Sequence, residues 1–227
     1  MRNISLLALQ SAEQKASELF DAIVDRGLIK SGITESELNT AIYNLAYELQ
    51  GIRKFWHKRI VRAGANTLLP YAENPPDHTL LDNDILFLDF GPVYDEWEAD
   101  FGKTYVLGND LQLHKLATDV ERLWDIGAAY IHQEFTTLTA ADTYAYIKTL
   151  VEQSGWRYGN EHCGHLIGNF PHERLSGEEK RNYLHPENTS LLREPDLAGR
   201  ERFWILEMHI IDDVLGRGAF VEKMITI

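Results

Sequence analysis

The segment Asp84-Ile85-Leu86-Phe87-Leu88-Asp89-Phe90-Gly91-Pro92-Val93-Tyr94-Asp95-Glu96-Trp97-Glu98-Ala99-Asp100-Phe101-Gly102-Lys103-Thr104 decides how the chain reads. Its first part is apolar on both faces of a strand, yet Asp89 sits inside it. Asp is a poor strand residue, and a buried carboxylate is strongly destabilising unless it is paired. The stretch reads as a hairpin. A two-residue turn at Tyr94-Asp95 sets Asp89 opposite Asp100, where side chains stand about 4.5–5.5 Å apart at Cβ. Two facing carboxylates require a cation between them or a shared proton. Gly91-Pro92 is the point at which a bulge would shift this register.

Two later strands repeat the anomaly. Glu207 lies within Phe203-Trp204-Ile205-Leu206-Glu207-Met208, and Glu222 within Ala219-Phe220-Val221-Glu222-Lys223-Met224-Ile225. One such acid reads as an outward-facing residue; three, each flanked by apolar side chains, read as a site. Nitrogen donors come from Glu161-His162-Cys163-Gly164-His165-Leu166-Ile167-Gly168-Asn169-Phe170-Pro171-His172, which holds three of the nine histidines and brackets His165 with glycines that permit close approach. Four carboxylates and an imidazole form a hard donor set, suited to Mn²⁺, Co²⁺, Fe²⁺ or Zn²⁺ rather than to a thiolate zinc site. Five side chains are too many for one open catalytic ion and about right for two ions roughly 3.5–4 Å apart.

Around these strands the chain alternates. Apolar residues at helical spacing predict helices over about 4–29, 38–49, 111–135 and 140–154, the second opened by a Thr34/Glu37 capping box. Strands are predicted at 59–61, 84–90, 97–107, 164–167, 203–211 and 219–227. Helix-helix-strand twice over is an α+β pattern with an internal duplication. No low-complexity linker divides the chain, so residues 1–227 read as one domain.

Composition bounds the function. Lys and Arg number 22 against 35 Asp and Glu, a formal charge of −13, which argues against nucleic acid, since phosphate recognition needs a basic surface. No apolar run approaches the roughly 20 residues of a membrane span. The single cysteine, Cys163, forms no internal disulfide and suits a reducing, cytoplasmic setting; it reads as a small buried filler.

The ligand set resembles that of the pita-bread metallopeptidases, which include methionine aminopeptidase, aminopeptidase P, prolidase and creatinase. Their ligands run Asp, Asp, His, Glu, Glu, with the first two eleven residues apart and the His in a Gly-His-x-x-Gly segment followed seven residues on by a second His. Asp89, Asp100, His165 in Gly164-His165-Leu166-Ile167-Gly168, His172, Glu207 and Glu222 reproduce that order and spacing. The resemblance covers nearly the whole chain. It implies a curved antiparallel sheet with helices on its outer face, and a catalytic unit without the separate N-terminal domain of the proline-specific relatives. It also implies two divalent ions, Mn foremost, with Co, Fe or Zn as alternatives, bridging a hydroxide that attacks a short peptide or small amide. Glu207 would shuttle the proton and His172 would bind the carbonyl or oxyanion. His162, three residues before His165, and His209, on the strand face of Glu207, are substrate-binding candidates. Pairing of two chains follows family habit.

The departures bear on substrate. In Arg62-Ala63-Gly64-Ala65-Asn66-Thr67-Leu68-Leu69-Pro70-Tyr71-Ala72-Glu73-Asn74, Pro70 stands where aminopeptidase P carries a substrate-contacting His, and neither His57 nor His78 aligns with it. Phe101-Gly102-Lys103-Thr104 replaces the Thr-Arg-Thr common after the second Asp, and Met208 replaces a Pro. The expected function is an Xaa-Pro type aminopeptidase or dipeptidase. The alternatives are a creatinase-like C–N hydrolase and a pita-bread binding protein without catalysis; the latter class usually loses ligands and gains basic patches, and this chain does neither.

Overall fold

The computed structural model describes residues 4–171, 179–196 and 199–225. In chain order these form α1 (Ile4–Asp25), α2 (Glu35–Gln50), β1 (Ile60–Ala63), β2 (Asp84–Phe90), β3 (Val93–Tyr94), β4 (Trp97–Glu98), β5 (Phe101–Leu107), α3 (Leu111–Glu134), α4 (Ala140–Gln153), β6 (Arg157–Tyr158), β7 (Leu166–Ile167), β8 (Phe203–Asp212) and β9 (Arg217–Met224). Short 3-10 turns occupy Gly64–Leu68 and Glu179–Asn182.

Helix ends follow their capping chemistry. Thr34 and Glu37 make the reciprocal capping box that opens α2, and Gly51 closes it in the left-handed conformation at φ 69°. Asp110 and Thr139 cap α3 and α4 through their side-chain oxygens. The first helix stops at Asp25, just before Gly27 with φ 62°.

One antiparallel sheet runs β1-β2-β5-β9-β8-β6, with β7 pairing onto β8. The expected duplication is visible in this order: β1-β2-β5 follows α1 and α2, β6-β8-β9 contains the strands that follow α3 and α4, and the halves join where β5 meets β9. Each half has its own apolar core. In the first, Leu19, Phe20, Ile23, Leu38 and Ile42 of the helices pack on Leu86, Leu88 and Phe90. In the second, Leu116, Val120, Leu123, Ile147 and Val151 pack on Leu206, Met208, Ile210 and Val221. Helices covering one face of the sheet leave the other face to carry chemistry. No helix among the described residues is long and apolar enough to cross a membrane.

The hairpin register differs from the sequence expectation. Strands β3 and β4 pair Val93 with Glu98 and Tyr94 with Trp97, so the turn is Asp95-Glu96, and β2 and β5 pair Asp89 with Gly102 rather than with Asp100. The turn residues explain the shift. Both turn positions adopt positive φ, 48° at Asp95 and 69° at Glu96. Asp tolerates that region far better than Tyr, which the expected turn would have placed there.

Candidate metal centre

The acids meet because the sheet aligns them. Asp89 on β2 is paired with Gly102 on β5, Gly102 with Glu222 on β9, and Glu222 with Glu207 on β8. Paired positions present their side chains to the same face, so three carboxylates and a glycine form one row across four strands. Gly102 keeps the row open: a Cβ there would lie 2.6 Å from the Phe220 ring and 2.9 Å from the Glu222 Cβ. Asp100 enters from just before β5. All four acids are buried, with 7% exposure at Asp89 and Glu207, 2% at Asp100 and 3% at Glu222.

His165 arrives on a segment pinned to β8. The His165 carbonyl accepts from the Ile205 amide at 2.8 Å, and the Cys163 carbonyl from the Glu207 amide at 3.0 Å. Gly164 between them has φ 147°, and a Cβ there would fall 2.0 Å from the Ile205 carbonyl oxygen, so only glycine fits. Downstream, the Gly168 amide donates to Glu98 Oε2 at 3.1 Å while the Glu98 amide donates to the Gly168 carbonyl. The β3–β4 hairpin therefore grips one end of the Gly-His-x-x-Gly segment and β8 grips the other. Cys163 is fully buried, in agreement with its reading as a filler.

Asp100 lies at the centre. His165 Nε2 is 3.2 Å from Asp100 Oδ2 and 3.1 Å from Glu222 Oε1, and His57 Nε2 is 3.0 Å from Asp100 Oδ1 and 3.5 Å from Asp89 Oδ1. Two triads, His57–Asp89–Asp100 and Asp100–His165–Glu222, each have ligand atoms within 4.8 Å of one another. Burial opposes charge on every member, and the neighbours decide the outcome. His57 and His165 hold the Asp100 carboxyl below its ordinary range despite burial. Burial together with Asp100 and Asp89 drives Glu222 well up, and Asp89 rises to about 7 although His57 opposes the shift. Burial would lift Glu207 too, but His162 keeps it low. Burial works against charge on His57, and Asp100 and Asp89 overcome it to raise its pKa to about 9.

These residues fit a divalent cation centre. Asp89 Oδ1 and Glu207 Oε1 are buried without a hydrogen-bond donor. His162 Nδ1 is 2.6 Å from Glu207 Oε1, a charge contact that is misaligned for a hydrogen bond. Buried oxygens with unused lone pairs, crowded against like charges, are what oxygen-preferring cations satisfy.

The remaining site candidates separate. His162 stands at the edge of the row, its side chain 30% exposed and its ring tilted 47° against Tyr183 at 4.8 Å between ring centroids. His172 lies outside the described residues. His209 shares the face of Glu207 but is enclosed at 2% exposure, its Nε2 2.8 Å from the Thr67 carbonyl. Glycines leave its slot: Cβ atoms at Gly159 and Gly218 would approach its ring nitrogens to 2.4 and 2.7 Å. His209 is thus enclosed where a substrate contact was expected, because strand periodicity gives the face and not the depth. Sequence reasoning missed His57, Trp56 and Asn160, whose Nδ2 donates to Glu207 Oε2 at 3.3 Å. No local sequence signal marked them; in the fold Gly91 leaves the room that the His57 ring takes, since a Cβ there would lie 2.2 Å from it.

The chain has relatives among known peptidases. The chain is 26% identical to a putative Xaa-Pro aminopeptidase of Mycoplasma genitalium over 200 residues, 87% of this chain and 56% of that protein. It is 25% identical to an Xaa-Pro dipeptidase of Lactobacillus helveticus over 83% of this chain and 50% of that one. The chain thus spans about half the length of these curated relatives. Among solved structures, a dipeptidase from Pyrococcus horikoshii OT3 superposes with a TM-score of 0.73 at 23% identity, covering 96% of this chain and 56% of that one. A methionine aminopeptidase from Thermotoga maritima gives 0.68 at 14% identity, covering 99% and 93%. The fold is the pita-bread fold. Metallopeptidase family M24 matches by its sequence model over residues 8–227, and the chain belongs to that family.

Proposed function

We propose that residues 1–227 supply the catalytic unit of a dinuclear metal-dependent aminopeptidase or dipeptidase that removes N-terminal residues from short peptides, Xaa-Pro peptides foremost. The observation that carries this reading is the row Asp89–Gly102–Glu222–Glu207 with Asp100 shared between two ligand triads. Asp89, Asp100, His165, Glu207 and Glu222 would hold two divalent ions, Mn foremost. Bound there, such ions lower the pKa of water and polarise a carbonyl.

The protein groups then have distinct tasks. Asp100, held ionised by flanking imidazoles, offers one oxygen to each side. Glu207 is kept ionised by His162, which suits it to accept a proton from the attacking water and pass it to the departing amine. Asn160 donates to the Glu207 carboxylate, and His162, whose side chain is 30% exposed beside it, would contact the substrate. His172 would donate to the scissile carbonyl, and His172→Ala is expected to keep the metal and lower turnover by about 10²–10³. His209 braces β8 against the 3-10 turn at Gly64–Leu68. The Xaa-Pro preference rests on the names of the two curated relatives.

Release assays on Xaa-Pro and Met-Xaa peptides and on creatine, with Mn²⁺ and then with chelator, test the proposal. Chelator-sensitive cleavage after the first residue of Xaa-Pro peptides supports it. Turnover of creatine without peptide cleavage moves the chain to the C–N hydrolases, and bound metal without any turnover makes it a binding protein.

A further inference from the structure

The triad His57–Asp89–Asp100 contains a nitrogen donor that the five-residue set does not use. We infer that His57 is a sixth protein ligand of the metal centre, so that each of two cations is bound by one imidazole, His165 on one side of Asp100 and His57 on the other. This inference rests on the dinuclear reading above and adds a ligand to it.

Three observations carry it. The two histidines are arranged alike about a single carboxylate: His57 Nε2 meets Asp100 Oδ1 at 3.0 Å and His165 Nε2 meets Asp100 Oδ2 at 3.2 Å. Each ring also approaches a second acid, Asp89 Oδ1 at 3.5 Å for His57 and Glu222 Oε1 at 3.1 Å for His165.

Both rings are clamped in the same way on their far side. His57 Nδ1 lies 2.8 Å from the Lys58 carbonyl and His165 Nδ1 lies 2.9 Å from the Leu166 carbonyl, in each case the next residue of the chain. A carbonyl only accepts, so Nδ1 carries the hydrogen in both rings, and a cation that displaces the proton from Nε2 would meet a lone pair already aimed at the carboxylates. Metal-binding histidines are characteristically oriented by such a bond from the opposite nitrogen. A lone pair facing carboxylate oxygens is repulsive until a proton or a cation lies between them.

The fold also makes room for the ring. Its side chain is only 9% exposed, and any side chain at Gly91 would overlap it, with a Cβ 2.2 Å from its Cδ2 and 2.4 Å from its Nε2. Trp56 rests edge-on against His57 at 4.5 Å and against His165 at 5.4 Å between ring centroids, one indole bracing both imidazoles. Its Nε1–H donates to the Ala99 carbonyl at 2.9 Å, next to Asp100 in the chain.

The competing role for His57 is a fixed positive partner of Asp100, and the two roles give opposite signs. The chelator-stripped 227-residue chain, with His57→Ala and His57→Gln variants, is titrated with Mn²⁺ by calorimetry. A ligand role predicts two ions bound by the wild type, with one site unchanged and the other weakened at least about tenfold in both variants. X-ray absorption of the protein loaded with two Co²⁺ should count one imidazole per cobalt in the wild type and half that in the variants. Mn²⁺ binding that is unchanged or tighter in the variants, or half an imidazole per cobalt in the wild type, overturns the inference while leaving the dinuclear reading intact. A wild type that binds no divalent ion overturns both. If neither variant folds, the cobalt count on the wild type decides alone.

Discussion

Asp100 has an imidazole on each of its two oxygens, and that single placement links both ligand triads. Asp100→Ala and His165→Ala should therefore each lose metal and hydrolysis together, a fall of at least about 10³ in turnover, checked by metal analysis alongside peptide release. Either variant retaining both would refute the ligand assignment. A second residue-scale prediction concerns Glu13 on α1, whose carboxylate accepts from the Met224 amide at 2.6 Å. Burial raises its pKa from 4.5 to about 7, only partly offset by that amide and by Lys223. Between these values the folded chain keeps a proton that the unfolded chain has released, so the stability tied to this group is full below pH 4.5 and lost as pH rises to 7. Glu13→Gln keeps an acceptor for the amide and should be near neutral at pH 4 yet stabilising at pH 8, by up to about 3 kcal/mol before the solvent contact of this partly exposed group is discounted. Urea denaturation at the two pH values measures the difference, and a gap independent of pH would contradict it. At this scale Asp89, Glu207 and Glu222 stood out because an acid inside an apolar strand violates a strong rule. His57 did not, since nothing local to Phe55-Trp56-His57-Lys58 reports that its ring reaches Asp100 across the fold.

Strand pairing turns scattered acids into a row, and this is where sequence reading was weakest. Helices and long strands came close to their observed limits because their apolar periods are long; β3 and β6, two residues each, have no period to detect. The hairpin register depended on which pair of residues takes positive φ, and Asp95-Glu96 is a less obvious turn than one containing glycine. Glycines are the exposed joints of this arrangement. Gly164→Ala would force a Cβ to 2.0 Å from the Ile205 carbonyl, a backbone atom that cannot move aside, and should lift His165 and the Cys163 carbonyl off β8. We expect a loss of at least about 2 kcal/mol, together with weakened metal binding. Gly155→Ala is the control, with φ 88° but open space around its Cβ. It should cost only the backbone term of about 1–2 kcal/mol and leave metal binding unchanged. Equal effects of the two substitutions on metal affinity, followed by calorimetry, would contradict the role given to Gly164.

Across the whole molecule, two helix-covered cores share one sheet, and the acids occupy the strands on either side of the seam where β5 and β9 join the halves. The duplication was visible in the order of elements, while the meeting of the halves was not, because that pairing joins residues about 120 positions apart and leaves no local trace. The negative balance of −13 likewise changes meaning, since four of the acids belong to a buried cluster rather than to a solvated surface. Cations that fill this cluster bind the folded chain alone, so saturation near one hundred times the dissociation constant should add about 2.7 kcal/mol per site. For a chain of this size that is a rise in melting temperature of roughly 5–10 °C per site, absent in Asp100→Ala. The most direct test is a crystal grown with Mn²⁺, with diffraction recorded on both sides of the manganese absorption edge. The account predicts two anomalous peaks within the cluster of Asp89, Asp100, His165, Glu207 and Glu222, one of them within bonding distance of His57 Nε2. Peaks confined to surface carboxylates, or none at all, would contradict it.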